Sequence, residues 1–200
     1  MSDQRTVATH RYDQVAMALH WLVAIGVLAQ IALGLWMLDI PKLPAGVRAS
    51  WFNLHKSIGI TVGMLIVLRL GWRLTHRPPP LPSTMPRWQV RAAKASHWLL
   101  YACMLTMPLS GYLGSIFSGY PIKYFGTTLP NWGWKDDAAK EFLSTVHFVA
   151  AIMFVSLINL HVLAALKHLF IDRDGVFHRM LPRLRYRSRR SAVSVPTQGA

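Results

Sequence analysis

The sequence predicts an all-α integral membrane protein, a four-helix bundle with both chain ends on the cytoplasmic side. Three observations carry that expectation. First, the 200 residues are 52% hydrophobic and only 15% charged, with a mean hydropathy of +0.28. Charged residues make up about a quarter of an ordinary soluble domain. Second, four apolar segments are long enough to cross about 30 Å of hydrocarbon. Third, the basic residues behind the net charge of +14 gather beside alternate ends of those segments. In a soluble chain such a charge would point to nucleic acid. Here it reads as membrane topology, so membrane lipid is the expected partner and nucleic acid is not.

The first fourteen residues are polar, and the apolar run after them is too long for the core of a cleavable signal, so none is expected. The first span covers residues 15–38 and ends before a short loop with Pro41 and Pro44. The second covers 51–74 and runs into a proline-rich loop (Pro78, Pro79, Pro80, Pro82, Pro86). The third covers 92–117, and a longer Gly/Trp/Pro-rich loop follows over 118–140. The fourth covers 142–170. One transmembrane domain therefore spans 1–186, and 187–200 is a basic tail expected to be disordered.

Lysine and arginine set the orientation. The N-terminus has Arg5 and Arg11, the second loop Arg73, Arg77, Arg87, Arg91 and Lys94, and the C-terminal region eight more from Lys167 to Arg190. The other two loops and their edges hold only Lys42, Arg48, Lys56, Lys123, Lys135 and Lys140. With four spans, the termini and the second loop share a side, and the positive-inside rule makes it cytoplasmic. Trp21, Trp36, Trp51, Trp72 and Trp98 fall near span ends as an aromatic belt and receive no catalytic role. The single cysteine, Cys103, excludes an internal disulfide, a multi-cysteine iron–sulfur or zinc site and a C-x-x-C-H attachment motif.

Nine histidines are present. His10, His76 and His178 lie outside the spans and read as surface residues. His147 and His161 stand fourteen residues apart in the fourth span. That spacing returns a helix to within roughly 40° of the same face and separates the two by about 21 Å along it. Histidines inside membrane helices are rare and usually functional. His20, in the first span, lies near the cytoplasmic side with His161. His55, in the second, lies near the outer side with His147. Depth thus pairs His20 with His161 and His55 with His147.

Two bis-imidazole pairs on facing helices suit two non-covalent haems b, an inner and an outer one, whose irons take both axial ligands from the protein. Zinc would need three or four ligands converging at one point. For an isolated membrane histidine, a hydrogen bond to a neighbouring helix is the simpler reading; four that pair by depth favour ligation. His55, Gly59 and Gly63 repeat every four residues, a smooth stripe for a flat ring or for plain helix packing. Gly111 is read as making room for the outer haem. Arg69 is a candidate partner for inner-haem propionates, against a snorkelling anchor. His168, two turns beyond His161, is a candidate to hydrogen-bond or protonate a quinone, against simple solvation at the membrane edge. His97, at the cytoplasmic end of the third span, is assigned propionate or structural contacts ahead of quinone chemistry. No catalytic side chain is assigned.

At this point the chain resembles the bacterial cytochrome b561 family. The matching stretches cover nearly the whole chain: His20-Trp21-Leu22, Leu54 to Gly59, Arg69-Leu70 with Arg73, and the prolines from Pro78 to Pro82. They continue with Met107 to Gly111, Gly119-Tyr120-Pro121 through Phe125-Gly126, the fourth-span histidines with His168, and Arg179 to Pro182. Each motif is weak alone, and their order makes them specific. The resemblance implies four-helix dihaem proteins of the bacterial inner membrane, ligation by His20, His55, His147 and His161, and exchange of electrons with ubiquinone. It also implies, for some members, superoxide as the donor at the outer face. Lys56, Lys123, Lys135 and Lys140 are then candidates to attract an anionic donor, opposed by Asp136, Asp137 and Glu141. Two other readings stand beside this one. One is a cytochrome b subunit that links a periplasmic dehydrogenase or hydrogenase to quinone, which keeps a protein partner open. The other, from a different class, is a histidine-using metal transporter.

Overall fold

In the computed structural model, residues 11–41 and 46–181 are described. Arg5, His10, Lys42, Pro44 and the basic tail expected to be disordered lie outside them. Four long helices follow one another: α1 (Gln14–Trp36), α2 (Val47–Thr75), α3 (Arg87–Ile116) and α4 (Asp137–Lys167). All four are long and apolar enough to cross a membrane. Each expected span falls on one of these helices, and all four begin earlier than hydropathy indicates, α1 by a single residue and the others by about a turn. A first turn is fixed by its cap and not by its apolar content. Asp136 accepts from the Ala139 amide at 2.9 Å and so opens α4 five residues before the apolar run. Asp13 caps α1 in the same way through Ala16 at 2.8 Å.

Close packing of backbones runs in sequence order, α1 on α2, α2 on α3 and α3 on α4, while α1 and α2 approach α4 at most marginally. The core is a seam of Val23 and Val27 from α1, Val62 and Ile66 from α2, Leu100, Tyr101, Cys103 and Met104 from α3, and Phe154 from α4. Glycines set the spacing where helices come closest. A Cβ on Gly26 would meet Val62 Cγ2 at 2.7 Å, and one on Gly63 would meet the Pro108 ring at 3.0 Å. Leucine and phenylalanine side chains line the outer faces, as lipid contact requires.

Beyond α3 the chain adds an element that the all-α expectation lacked. A two-residue hairpin pairs β1 (Lys123–Tyr124) with β2 (Thr127–Thr128) in antiparallel register. Phe125 and Gly126 form its turn with φ of 45° and 93°, the positive angles of a tight primed turn. The hairpin docks on α2: buried Ser57 accepts from the Phe125 amide at 2.9 Å and donates to Lys123 O at 3.2 Å, and Ile122 is 1% exposed. At the opposite end α4 continues into a π-helical turn (His168–Asp172) and a short 3-10 helix (Phe177–Met180). There the two ends of the described chain meet: the Trp21 indole donates to Met180 O at 2.8 Å, and the Tyr12 amide to Arg179 O at 3.4 Å.

Candidate functional site

Five histidines inside the helices, His20, His55, His97, His147 and His161, are half-buried, whereas His76 and His178 are exposed. They divide between two levels of the bundle.

At the hairpin end, His55 of α2 faces His147 of α4 with ring centroids 6.5 Å apart and planes at 75°. A metal bound by both imidazoles at about 2 Å per nitrogen needs roughly 6 Å between centroids. The pair is therefore spaced for one ion between them. The Nδ1 of His147 lies 3.0 Å from Met107 O and 3.1 Å from Ser110 Oγ. A carbonyl only accepts, so His147 donates from Nδ1 and its Nε2 lone pair is free for a metal. Gly111 sits one turn beyond Met107, and a Cβ there would come within 3.2 Å of His147 Cε1. A side chain on Gly111 would thus crowd the histidine itself.

The glycine stripe after His55 also has occupants. A Cβ on Gly59 would stand 2.8 Å from Gln30 Nε2, and Gly63 faces Pro108. The surface expected to admit a flat ring is filled by protein. Gln30 reaches this position by donating to the His55 backbone carbonyl at 2.8 Å.

At the other level, Arg69 of α2 donates to His20 Nδ1 at 3.1 Å. Its guanidinium lies 5.2 Å from the Tyr101 ring centroid, and that of Arg73 lies 5.6 Å from it on a neighbouring turn. The ring packed against His161 is that of His97, at 5.5 Å and 68°. The inner level thus gathers His20 and His161 with Arg69 and a third histidine. Below it a cavity of about 690 Å³ opens between Arg11, Asp13, Arg69, Trp72, Arg73 and Arg77. Asp13 is its carboxylate. Burial alone would raise its pKa, but donations from the Ala16 amide and the Trp72 indole outweigh that and hold it below its usual value.

His168 lies at the start of the π-helical turn. Its Nδ1 is 2.7 Å from Asp174 Oδ2 and 3.2 Å from Asp172 Oδ2, and Lys167 pairs with Asp172. The wide turn and the left-handed Arg173, with φ of 49°, bend the chain back so that both carboxylates reach one imidazole. Among the lysines at the hairpin end, Lys135 is paired with Asp137 at 3.4 Å.

Sequence reasoning assigned no role to Gln30, Tyr101, Asp172 or Asp174, and it met Met107 and Ser110 only as part of a matching stretch. Gln30 had a signal, being an uncharged amide in the middle of an apolar span. The others are hydrogen-bond and stacking partners that only the packing reveals.

The family described as prokaryotic cytochrome b561 matches residues 11–183. Cytochrome b561 homolog 2 of Escherichia coli (strain K12) is 40% identical over 186 residues, which cover 88% of this chain and 94% of that protein. Cytochrome b561 homolog 1 of the same organism is 28% identical over 177 residues, 87% of this chain and 98% of that one. The protein named Probable superoxide oxidase CybB, from Yersinia pestis, is 25% identical over 177 residues, 88% of this chain and 98% of that one.

Proposed function

Because this chain belongs to the prokaryotic cytochrome b561 family, whose members are membrane proteins that carry haem and transport electrons, we propose that it moves electrons across the bacterial inner membrane through two haems b, from a donor at the periplasmic face to ubiquinone near the cytoplasmic one. Bound there, the haems supply one-electron redox chemistry. His55 and His147 hold the outer one; His20 and His161 hold the inner one. The observation that carries the reading is the 6.5 Å pairing of His55 with His147, together with a second histidine on α4 fourteen residues further along the same face.

The protein's own groups divide the work. Met107 O and Ser110 fix His147 with Nε2 presented inward. Arg69 lies at the inner level with its charge beside His20. When the His20 Nε2 takes a metal, its Nδ1 carries a proton and no longer accepts, so Arg69 turns to propionate oxygens. His168, held by Asp174, places its other ring nitrogen where a quinone oxygen takes up a proton. Superoxide is the proposed donor, by analogy with the relative named as a probable superoxide oxidase. The balance is two superoxide anions, one ubiquinone and two protons giving two dioxygen molecules and one ubiquinol. Lys123 and Lys140 attract an anion at the hairpin end more freely than Lys135, which is paired with Asp137. Both termini and the proline-rich loop lie on the cytoplasmic side in this reading, since they bear most of the lysine and arginine.

Pyridine haemochrome analysis of the purified chain should give two haems per polypeptide and a sharp α band after dithionite reduction. One haem per chain would end the two-site reading, and a metal transporter would show no such band. Stopped-flow mixing with superoxide tests the donor: haem reduction no faster than in a heat-denatured control would remove superoxide. Co-purification of a large periplasmic dehydrogenase would favour the subunit reading instead.

A further inference from the structure

Gln30 is an amide in the second half of α1, two turns before its end, between Ala29 and Ile31. A polar side chain at that depth is tolerated when the protein itself meets its hydrogen bonds. One side of the amide is met, since Nε2 donates to His55 O at 2.8 Å, across the gap that Gly59 leaves. The other is not. Two buried side-chain polar atoms lack a hydrogen-bond partner among the described residues, and they are Gln30 Oε1 and His55 Nδ1. They belong to the two residues that this bond already joins. The His55 ring also packs against α1 there: a Cβ on Gly34, one turn beyond Gln30, would stand in ordinary contact with His55 Cε1 at 3.6 Å. Turning the Gln30 amide over does not help, because Oε1 would then oppose the His55 carbonyl, acceptor against acceptor.

Metal ligation gives both orphans a use. An imidazole that binds iron through Nε2 must carry its proton on Nδ1, so ligation creates a buried donor on His55, whose backbone already holds the residue with the one acceptor left open. We propose that Gln30 Oε1 accepts from His55 Nδ1–H when His55 holds the outer haem, making Gln30 a positioning residue that orients that ligand and lowers the reduction potential of the outer haem. The inference rests on the ligation proposed above. An imidazole that donates from Nδ1 is a more electron-rich ligand and favours the oxidised metal. His147 donates in the same way to Met107 O. The inner level has the opposite environment, with the Arg69 cation at that depth, whose positive charge favours the reduced state. The outer centre is then the lower-potential one, and electrons run downhill inward.

Spectroelectrochemical titration of the haem-loaded protein tests this, with the two components assigned by the one that disappears in a His161→Ala variant. Gln30→Leu should keep two haems per chain and favour reduction of the outer one by about tenfold, a rise of about 59 mV for a one-electron couple, with the inner midpoint unmoved. The low-spin EPR signal of the outer centre should shift with it. Gln30→Glu keeps a carbonyl-type acceptor and should leave the outer midpoint at or below the parent value. The inference is overturned if the outer midpoint does not move in the Leu variant, if both variants raise it, or if the inner midpoint moves equally. Should Gln30→Leu lose the outer haem, the Glu variant decides alone, and a midpoint above the parent value overturns the proposal. Failure of the ligation itself looks different: a His55→Ala variant would then retain both haems.

Discussion

His147 shows how much of a candidate ligand's behaviour resides in its neighbours. Its ring is fixed by an acceptor on α3, Met107 O, by the Ser110 hydroxyl, and by the missing side chain of Gly111. Partners of this kind are worth about 10–100-fold in metal affinity. Gly111→Leu should therefore weaken outer-haem binding by at least that factor while the inner haem persists, read as a fall from two haems per chain towards one. Ser110→Ala should cost much less, because Met107 O remains to accept. His161→Ala should remove the inner haem and leave the outer one spectrally present; selective loss of the outer haem instead would invert the proposed pairing. The histidines themselves were legible in the sequence because few residue types justify an ionisable group inside a membrane. Gly59 and Gly63 were not. A glycine reports only that something comes close, and here the neighbours are Gln30 and Pro108.

Among the elements, α4 carries most of the design. It contributes one histidine to each level, so its 31 residues fix the separation of the two sites as a rigid rod. At the far end of the bundle α1 is anchored by Asp13, which caps its own helix and accepts from the Trp72 indole of α2 at 3.1 Å. Asp13→Ala should destabilise the bundle by about 1 kcal/mol, seen as a lower melting temperature in detergent. The carboxyl is held below its ordinary value. Its contribution is therefore complete above the unfolded-state value of about 4 and is lost as pH falls through the lower folded-state value. The gap in melting temperature between parent and variant should stay constant from about pH 5 to 8 and close only in stronger acid. The hairpin over 123–128 escaped the sequence reading, since two-residue strands carry no periodicity, and its Phe125-Gly126 turn is not among the usual signals.

For the whole molecule, an even number of helices brings the start of α1 and the end of α4 together, and the Trp21–Met180 and Tyr12–Arg179 bonds join them. The charge asymmetry is the basis for the proposed side of the membrane that this end faces. Single cysteines placed by Ser83→Cys in the proline-rich loop and by Thr127→Cys in the hairpin, each with Cys103→Ser, would report it. In intact spheroplasts a membrane-impermeant thiol reagent should label the second and not the first; the reverse pattern would turn the proposed electron path around. Hydropathy, charge asymmetry and the spacing of His147 and His161 determined the four helices, their order and the candidate histidines, because those are one-dimensional properties that lipid and helix period impose directly. The tertiary structure alone decided which atoms meet those histidines: Met107 O at His147, Arg69 at His20, His97 at His161, Gln30 at His55 and Asp174 at His168. Such partners lie on other helices or across an irregular turn. No local pattern encodes them, because a buried polar atom is satisfied by whatever the packing brings within about 3 Å.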